Sequence, residues 1–246
     1  MPPSSQTDRR FLTAEWRHLA MLNFPVERDV LQPFVPNATM LDTYKGVAYV
    51  SLVGFQFLNA RVFGVPVPGH RNFEEVNLRF YVRRLAEDDW RRGVVFIKEI
   101  VPKRAIAAVA RAIYNERYVS LPMRHTIETR DGGSVSAVEY GWEMNGSWNH
   151  LRAATTTMIS SEPAPGSLEE FITEHYWGYV RQRNGATVEY RVEHPRWKVA
   201  SAETSELRCD VGRLYGEAFA SPLQQPPKSA FIANGSPVAV FRGRVV

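Results

Sequence analysis

The chain contains 246 residues with a mass of 28.0 kDa, of which 44% are hydrophobic, 23% charged and 12% aromatic. This composition is typical of a globular protein and excludes a disordered, collagen-like or coiled-coil chain. The net charge is +4 and the isoelectric point about 9.3, with 30 basic residues balanced by 26 acidic ones. The arginines stand singly beside acidic neighbours rather than in one cluster, so we expect no nucleic-acid partner.

Four segments of the first half are rich in aromatic and β-branched residues or alternate with a period of two, which predicts strands at residues 11–22, 46–57, 76–83 and 93–101. A short helix is predicted over residues 25–32, ahead of two prolines. Apolar residues at helical spacing predict a second helix over residues 103–114.

In the second half, Asp131-Gly132-Gly133 separates residues 123–128 from 134–144, and this turn sequence predicts a hairpin. Ser167, with Glu170 three residues on, forms a capping box that predicts a helix carrying Tyr179 on its apolar side. A proline-rich loop is predicted over residues 221–227, and further strands at 151–159, 187–193, 197–202, 229–234 and 237–241.

Many strands and few helices predict a mainly β (α+β) protein. We expect a flexible N-terminus over residues 1–10 and a single domain over residues 11–246. The first ten residues lack an apolar signal segment, and no apolar run approaches the about 20 residues that cross a bilayer. The lone Cys209 fits a reducing compartment. We therefore expect a cytoplasmic protein without a membrane partner.

Motifs for common cofactors are missing from the sequence. It contains neither a phosphate-binding glycine loop nor a nucleophile elbow. The six histidines are scattered, without the spacing of a helical metal site. We therefore predict no metal and no cofactor.

Lys103 follows the strand-ending Pro102, opens the predicted helix and adjoins Arg104. The positive end of the helix dipole and the charge of Arg104 both favour a neutral amine at Lys103. A neutral amine can attack a carbonyl carbon and form a Schiff base. The alternative is that both cations are ordinary solvated residues of an exposed helix start.

Polar residues of the strand at 76–83 form a second candidate site. Asn77, Arg79 and Tyr81 share one face, where they either line a pocket or cover the outer surface. Glu74 and Glu75 precede this strand; either one of them points inward, or both form a solvated edge.

Arg17 lies within an aromatic and apolar stretch. A partly buried guanidinium is stabilised by a carboxylate, which it binds through two parallel hydrogen bonds. That carboxylate belongs either to a substrate or to Glu15 or Glu75.

Several stretches that together span nearly the whole chain carry a resemblance to a known family: Glu15-Trp16-Arg17-His18 with residues 25–36, residues 46–57, the string from Phe73 to Val82, Ala110-Arg111 with Tyr114 and Tyr118, Glu174-His175-Tyr176, and His194-Pro195-Arg196-Trp197. They resemble the uncharacterised YqjF-like family of the acetoacetate decarboxylase-like superfamily. This resemblance implies a barrel- or cone-like β fold with a few flanking helices, an internal pocket and a homo-oligomer.

The resemblance also implies a chemistry. Acetoacetate decarboxylases carry a Pro-Lys-Lys motif, in which the first lysine forms the Schiff base and the second favours its neutral form. Pro102-Lys103-Arg104 looks like that motif, and Arg17 is similar to an active-site arginine of those enzymes. The implied activity is that of a lysine-dependent lyase acting on a small keto acid. Lys103 would be its nucleophile, Arg104 the activator, Arg17 the carboxylate clamp and Glu75 a proton shuttle.

The competing hypothesis, which we favour, is a protein that binds a small organic carboxylate or keto-acid-like molecule without catalysis. In it Arg17, Asn77, Arg79 and Tyr81 orient the ligand, and Lys103 is solvated. A third hypothesis is a structural or interaction protein, whose interior would be filled and would hold no pocket.

Overall fold

The computed structural model describes residues 9–87, 89–106, 115, 117–130, 133–159 and 161–246. Its first half contains strands β1 (Arg10–Val26), β2 (Met40–Leu41), β3 (Ala48–Val62), β4 (Val65–Pro66), β5 (Phe73–Ala86), β6 (Asp89–Val101) and β7 (Tyr118–Ser120). Helix α1 (Arg28–Leu31) continues into a 3-10 turn at Gln32–Phe34.

The second half contains strands β8 (Met123–Thr129), β9 (Val135–Met144), β10 (Ser147–Ala154), β11 (Trp177–Arg181), β12 (Thr187–Glu193), β13 (Val199–Ser201), β14 (Thr204–Arg208), β15 (Ser229–Phe241) and β16 (Arg244–Val245). Its helices are α2 (Leu168–Thr173), α3 (Val211–Tyr215) and α4 (Ala220–Gln224), with a 3-10 turn at Glu217–Phe219. The protein is mainly β, which confirms the predicted class. Among the described residues, no helix has both the length and the apolarity that crossing a membrane requires.

Seven strands of the larger sheet form a ring. They follow the order β15, β1, β3, β5, β6, β11 and β12, and β12 pairs again with β15. The closing pairs join Val192 to Val240 and Glu193 to Ala239. Strands β6 and β11 run parallel, and the other neighbours in the ring run antiparallel. The ring therefore has an inside and an outside, and each strand sends alternate side chains to one or the other.

The smaller sheet, in the order β14, β10, β9 and β8, packs on the outside of β1, β3 and β5. One hydrophobic core contains apolar residues of both sheets, among them Leu52, Leu78, Phe80, Val138, Tyr140 and Trp142. The sheets approach closely at Gly54, where an added Cβ would lie 2.4 Å from a ring carbon of Tyr140. Because the apolar face of β5 is turned outward into this core, its polar face is turned into the ring.

A buried ionic cluster around Glu189 joins five strands of the larger sheet. The Glu189 side chain on β12 is fully buried and lies 3.2 Å from Arg84, 2.5 Å from Arg91 and 3.2 Å from Arg244. The Tyr179 hydroxyl on β11 donates a hydrogen bond of 3.0 Å to the same carboxylate. These bonds tie β5, β6, β11, β12 and β16 together and satisfy a carboxylate that would be costly to bury alone.

Most of the predicted strands occur where the sequence pattern placed them. The structure contains strands over most of residues 11–22, 46–57, 76–83, 93–101, 123–128, 134–144 and 187–193. The paired strands β8 and β9 form the predicted antiparallel neighbours. Three predictions fall largely outside the described residues: the flexible N-terminus (1–8 of 1–10), the second helix (107–114 of 103–114) and the hairpin turn (131–132).

Other predictions were wrong. The helix that begins after Ser167 ends at Thr173, and Tyr179 lies in a strand. Within that strand, Gly178 leaves room for the ring of Tyr190 on β12, which occupies the space of an added Cβ. The predicted strand at 151–159 is β10, which ends at Ala154.

In the last third of the chain, glycine and proline residues led to two wrong predictions. The two strands predicted over 229–241 are one strand, because β15 stays paired with β1 through Gly235 and Pro237. The proline-rich segment at 221–227 includes most of α4. In both cases tertiary pairing or packing overrides local preference.

The predicted capping box supplies a stability prediction. Ser167 Oγ accepts a hydrogen bond of 3.1 Å from the Glu170 backbone N–H at the start of α2. Ser167→Ala removes this acceptor, so we expect the free energy of unfolding to fall by about 1 kcal/mol in urea denaturation. Ser201→Ala, at an exposed strand position, is the matched control. An unchanged midpoint for Ser167→Ala would show that the cap does not stabilise α2.

Candidate functional site

The inside of the ring holds a cavity of about 260 Å³, and each of the seven ring strands contributes to its lining. Most of the lining is apolar, and much of it is aromatic: Trp16, Phe55, Phe57, Phe73, Phe96 and Trp197. A smaller set of polar side chains also lines it: Glu75, Asn77, Arg79, Glu99, Tyr118, His175 and His194. An apolar cavity with a few convergent polar groups is the usual form of a small-molecule site.

Strand pairing places two carboxyl groups and their partners together. Asn77 on β5 lies opposite Glu99 on β6, and Glu99 lies opposite Tyr118 on β7. Glu75 accepts hydrogen bonds of 3.0 Å from Asn77 Nδ2 and 3.1 Å from the Tyr118 hydroxyl. Glu75 and Glu99 are only 3% and 2% exposed. Glu75 therefore points into the cavity beside a second buried carboxyl group, and it does not belong to a solvated strand edge.

Burial changes the ionisation of Glu75. It raises the pKa of Glu75 to about 7, although the hydrogen bonds from Asn77 and Tyr118 and the charge of Arg79 act to lower it. A carboxyl group with this pKa is largely protonated below neutral pH and ionised above it. Glu75 can therefore donate a proton to a bound molecule or accept one near pH 7.

Arg79 brings a buried positive charge into the cavity. It is 9% exposed, and its guanidinium carbon lies 5.9 Å from the centre of the Tyr81 ring. Its Nε is buried without a hydrogen-bond partner. Among the residues that the structure describes, it forms no ion pair. A desolvated cation without an acceptor is unfavourable, so this guanidinium is poised to bind an anion.

A buried aspartate–histidine pair lies beside Tyr81. Asp42 Oδ2 accepts a hydrogen bond of 2.7 Å from Arg92 Nε and lies 3.4 Å from His175 Nε2. Burial acts to raise the pKa of Asp42, but the hydrogen bonds from His175 and Arg92 outweigh it and lower the pKa to about 2. Burial lowers the pKa of His175 to about 4, so this ring is neutral at pH 7. Because the Asp42 carboxylate can only accept, the proton of the neutral His175 ring is assigned to Nε2, which leaves Nδ1 of the ring as an acceptor.

His194 is a second neutral histidine of the cavity. Burial lowers the pKa of His194 to about 4, against the opposing effect of the Pro195 carbonyl, and the charge of Arg79 lowers it further. Its ring stacks on Trp197 with a centroid separation of 4.4 Å. Trp197 Nε1 donates a hydrogen bond of 2.9 Å to Ser236 Oγ, which fixes the indole. Both histidines can therefore present neutral polar atoms to a ligand, while Arg79 carries the positive charge.

Three of the predicted site residues lie together in the cavity: Glu75, Asn77 and Arg79. Tyr81 shares their face of β5 but lies behind His175, at a ring-centroid distance of 4.5 Å. Its hydroxyl donates a hydrogen bond of 2.5 Å to Ser51 Oγ, within the buried core. Tyr81 therefore packs against His175 and is not among the lining residues of the cavity.

The remaining predicted site residues lie elsewhere. Arg17 binds Glu15 at 2.6 Å and does not line the cavity, because the neighbouring Trp16 faces inward and Arg17 has the opposite phase on β1. Lys103 and Arg104 are exposed, in the segment that leaves the sheet after β6. Ala105, two residues after Lys103, does line the cavity, but the described lining residues include no lysine. The roles assigned to these three cations remain predictions.

Other functional residues were missed at the level of the sequence: Glu99, His175 and His194. Glu99 faces inward only because the β5–β6 pairing shifts register between Phe96 and Lys98, and strand alternation counted from Phe96 would have placed Lys98 inward instead. His175 and His194 lie outside regular elements, and only the tertiary structure brings them to the cavity.

The ring of strands with a smaller sheet over one side is the acetoacetate decarboxylase-like fold. The structure is similar to acetoacetate decarboxylase from Legionella pneumophila, with a TM-score of 0.64 and 12% identity over 100% of this chain and 92% of the other. It is similar to an acetoacetate decarboxylase-like enzyme from Sphingomonas wittichii RW1, with a TM-score of 0.64 and 13% identity over 100% and 96%. It is also similar to the enduracididine biosynthesis enzyme MppR in complex with pyruvate, with a TM-score of 0.64 and 11% identity over 99% of this chain and 93% of the other. Identities this low show the fold alone.

Residues 13–237 match the model of the DUF2071 family, described as an uncharacterized conserved protein. The chain belongs to this family. It is also 29% identical to the uncharacterized protein YqjF of Bacillus subtilis (strain 168) over 190 residues, which are 76% of this chain and 74% of that protein. The predicted resemblance to YqjF-like proteins is thereby confirmed, together with the acetoacetate decarboxylase-like fold.

Proposed function

We propose that this protein binds a small organic carboxylate or keto-acid-like molecule inside the ring, with Arg79 as the anchor of the carboxylate. The observation that carries this proposal is the buried Arg79 guanidinium, which has no acidic partner in the described part of the chain. An arginine binds a carboxylate through two parallel charge-assisted hydrogen bonds, which are stronger than neutral ones.

The groups around Arg79 suit the rest of such a ligand. Asn77 Oδ1 and His175 Nδ1 are buried acceptors without partners among the described residues. Glu75 exchanges a proton near neutral pH because burial raises its pKa to about 7. A hydroxyl, enol or keto group next to the carboxylate would therefore meet both donors and acceptors. In this proposal Arg79 takes the role that the sequence suggested for Arg17.

The comparisons are compatible with this ligand class without specifying it. One neighbour of the same fold is titled as a complex with pyruvate, and another structure of that enzyme as a complex with a condensation product of pyruvate. Those ligands belong to a protein that is only 11% identical. They support a keto-acid-like ligand as the first class to test.

The alternative, a Schiff-base lyase acting through Lys103, is not favoured by the geometry. Lys103 is exposed, and within the described ranges no lysine amine lines the cavity. Borohydride trapping with a β-keto acid, read by intact mass, tests this alternative directly. We expect no covalent adduct at Lys103, because its exposed side chain is not among the described lining residues and would not meet a keto group bound in the cavity.

The proposal is tested by calorimetric titration with 4-methyl-2-oxopentanoate and with its primary amide. The two molecules share a shape and differ in the charge that Arg79 would bind. We expect the acid to bind at least about tenfold more tightly than the amide. Equal affinities, or no binding of the acid, would contradict a carboxylate site.

A further inference from the structure

We propose that the ligand of this cavity carries an aromatic ring on a short chain from its carboxylate. The carboxylate binds Arg79, and the ring packs on an aromatic wall of the cavity, which consists of Trp16, Phe55, Phe57, Phe73, Phe96 and Trp197. This inference rests on the proposed function and narrows it. It distinguishes the cavity from a site for pyruvate-sized acids, which have only a methyl group to bury.

The strand register places aromatic rings along the polar row of β5. Arg79 lies directly opposite Phe96 on β6, and Glu75 lies opposite Phe55 on β3. Side chains opposite each other on one face of antiparallel strands are about 5 Å apart at Cβ. A carboxylate bound to Arg79 would therefore have an aromatic side chain beside it.

The aromatic wall continues across three adjacent strands. Phe73 on β5 pairs with Phe57 on β3, and Phe57 pairs with Trp16 on β1. The Phe57 and Phe73 rings are stacked with centroids 4.7 Å apart, and Phe57 lies 6.0 Å from Trp16. Trp16 lies 6.2 Å from Trp197 in an edge-to-face arrangement. Rings in these arrangements form a rigid apolar surface that favours a further ring.

His194 extends this wall and lines the same cavity as Arg79. Its ring stacks on Trp197 and lies 6.3 Å from Trp16, and the charge of Arg79 acts on it. The indole Nε1 of Trp16 is buried without a partner in the described structure, so the wall also offers one donor. A ring on a short chain could therefore reach the wall from Arg79.

The volume supports the same class of ligand. The cavity measures about 260 Å³, just below the range of about 300–1,000 Å³ found for sites of drug-sized ligands. A molecule with only a methyl group beyond its keto-carboxylate would leave the aromatic wall without contacts. An unfilled apolar space forfeits dispersion contacts and burial of apolar surface.

The test compares 3-phenylpropanoate with propanoate by calorimetric titration, because the two acids share a carboxylate and differ only in the ring. Burying the ring should make 3-phenylpropanoate bind at least about tenfold more tightly. Phe96→Leu removes the ring opposite Arg79 and should reduce this ratio severalfold, because 3-phenylpropanoate should lose more affinity than propanoate. Phe73→Leu, at another half-buried lining position, is a second variant should Phe96→Leu fail to fold.

Trp148→Leu is the matched control, since Trp148 is an exposed aromatic residue of the outer sheet; its ratio should equal that of the wild type. Equal affinities for the two acids would overturn this inference and leave the Arg79 carboxylate site intact. If neither acid binds, both the inference and the proposed function are wrong. A ratio that stays unchanged in both Phe variants would also overturn the inference, because the ring would then bind elsewhere.

Discussion

Arg79→Met should weaken the binding of 4-methyl-2-oxopentanoate by about thirtyfold or more. Methionine keeps the apolar stem of the side chain but removes the guanidinium, which is the only part that can pair with a carboxylate. Removing one member of a buried, hydrogen-bonded charge pair generally costs about 2–5 kcal/mol of binding free energy. Calorimetric titration of the purified variant measures the change.

A second readout separates this effect from misfolding. Arg79 is buried without an acidic partner among the described residues, so its loss should not lower the free energy of unfolding of the unliganded protein. Arg17→Met is the matched control, because Arg17 pairs with Glu15 away from the cavity. The control should bind like the wild type. An Arg79→Met protein that is folded and binds the acid normally would eliminate Arg79 as the anchor.

The second large effect is a dependence of binding on pH. Burial raises the pKa of Glu75 to about 7, so this side chain becomes negatively charged as the pH rises through that value. The new charge repels a ligand carboxylate and offsets the charge of Arg79. Two unit charges about 10 Å apart interact by roughly 1.5 kcal/mol at an effective dielectric constant of about 20. We therefore expect affinity to fall roughly fivefold between pH 6 and pH 8, because Glu75 is not fully protonated at the first pH nor fully ionised at the second.

Glu75→Gln should abolish this fall, because glutamine cannot ionise. The matched control is Glu74→Gln, since Glu74 lies on the opposite face of β5 and binds His125 at 2.7 Å; it should keep the wild-type pH profile. A profile that persists in Glu75→Gln would assign the titration to another group.

The same carboxyl group should make stability depend on pH in a defined direction. The pKa of Glu75 is about 7 in the folded state, above the ordinary value of 4.5. The folded state therefore binds more protons between these values, so its contribution to stability is present below about pH 4.5 and is lost as the pH rises to about 7. The loss amounts to at most about 3 kcal/mol. Urea denaturation should thus show Glu75→Gln gaining stability over the wild type between pH 5 and pH 8.

The polar face of β5 shows how far the sequence could predict the site. A period of two places Asn77, Arg79 and Tyr81 on one face but does not say which face is inside. The answer depends on the smaller sheet, which covers the alternate residues such as Leu78 and Phe80. No local pattern specifies that packing, because its partners, such as Trp142, are more than 60 residues away.

The cations illustrate the opposite case. Local surroundings and a family motif predict Arg17 and Lys103 as site residues, but the structure places both outside the described cavity lining. The phase of β1 turns Trp16 inward instead of Arg17. The mainly β class and most strands followed from periodicity, whereas His175 and His194 reach the cavity only through the closed ring.

The most direct test of the carboxylate site is a crystal structure of the protein grown with 4-methyl-2-oxopentanoate. We predict that both carboxylate oxygens lie within hydrogen-bond distance, about 2.7–2.9 Å, of the Arg79 guanidinium. We also predict that the rest of the molecule lies inside the ring of strands. A ligand bound outside the ring, or one whose carboxylate contacts Arg17 or Lys103 and leaves Arg79 without an anion, would contradict the proposal.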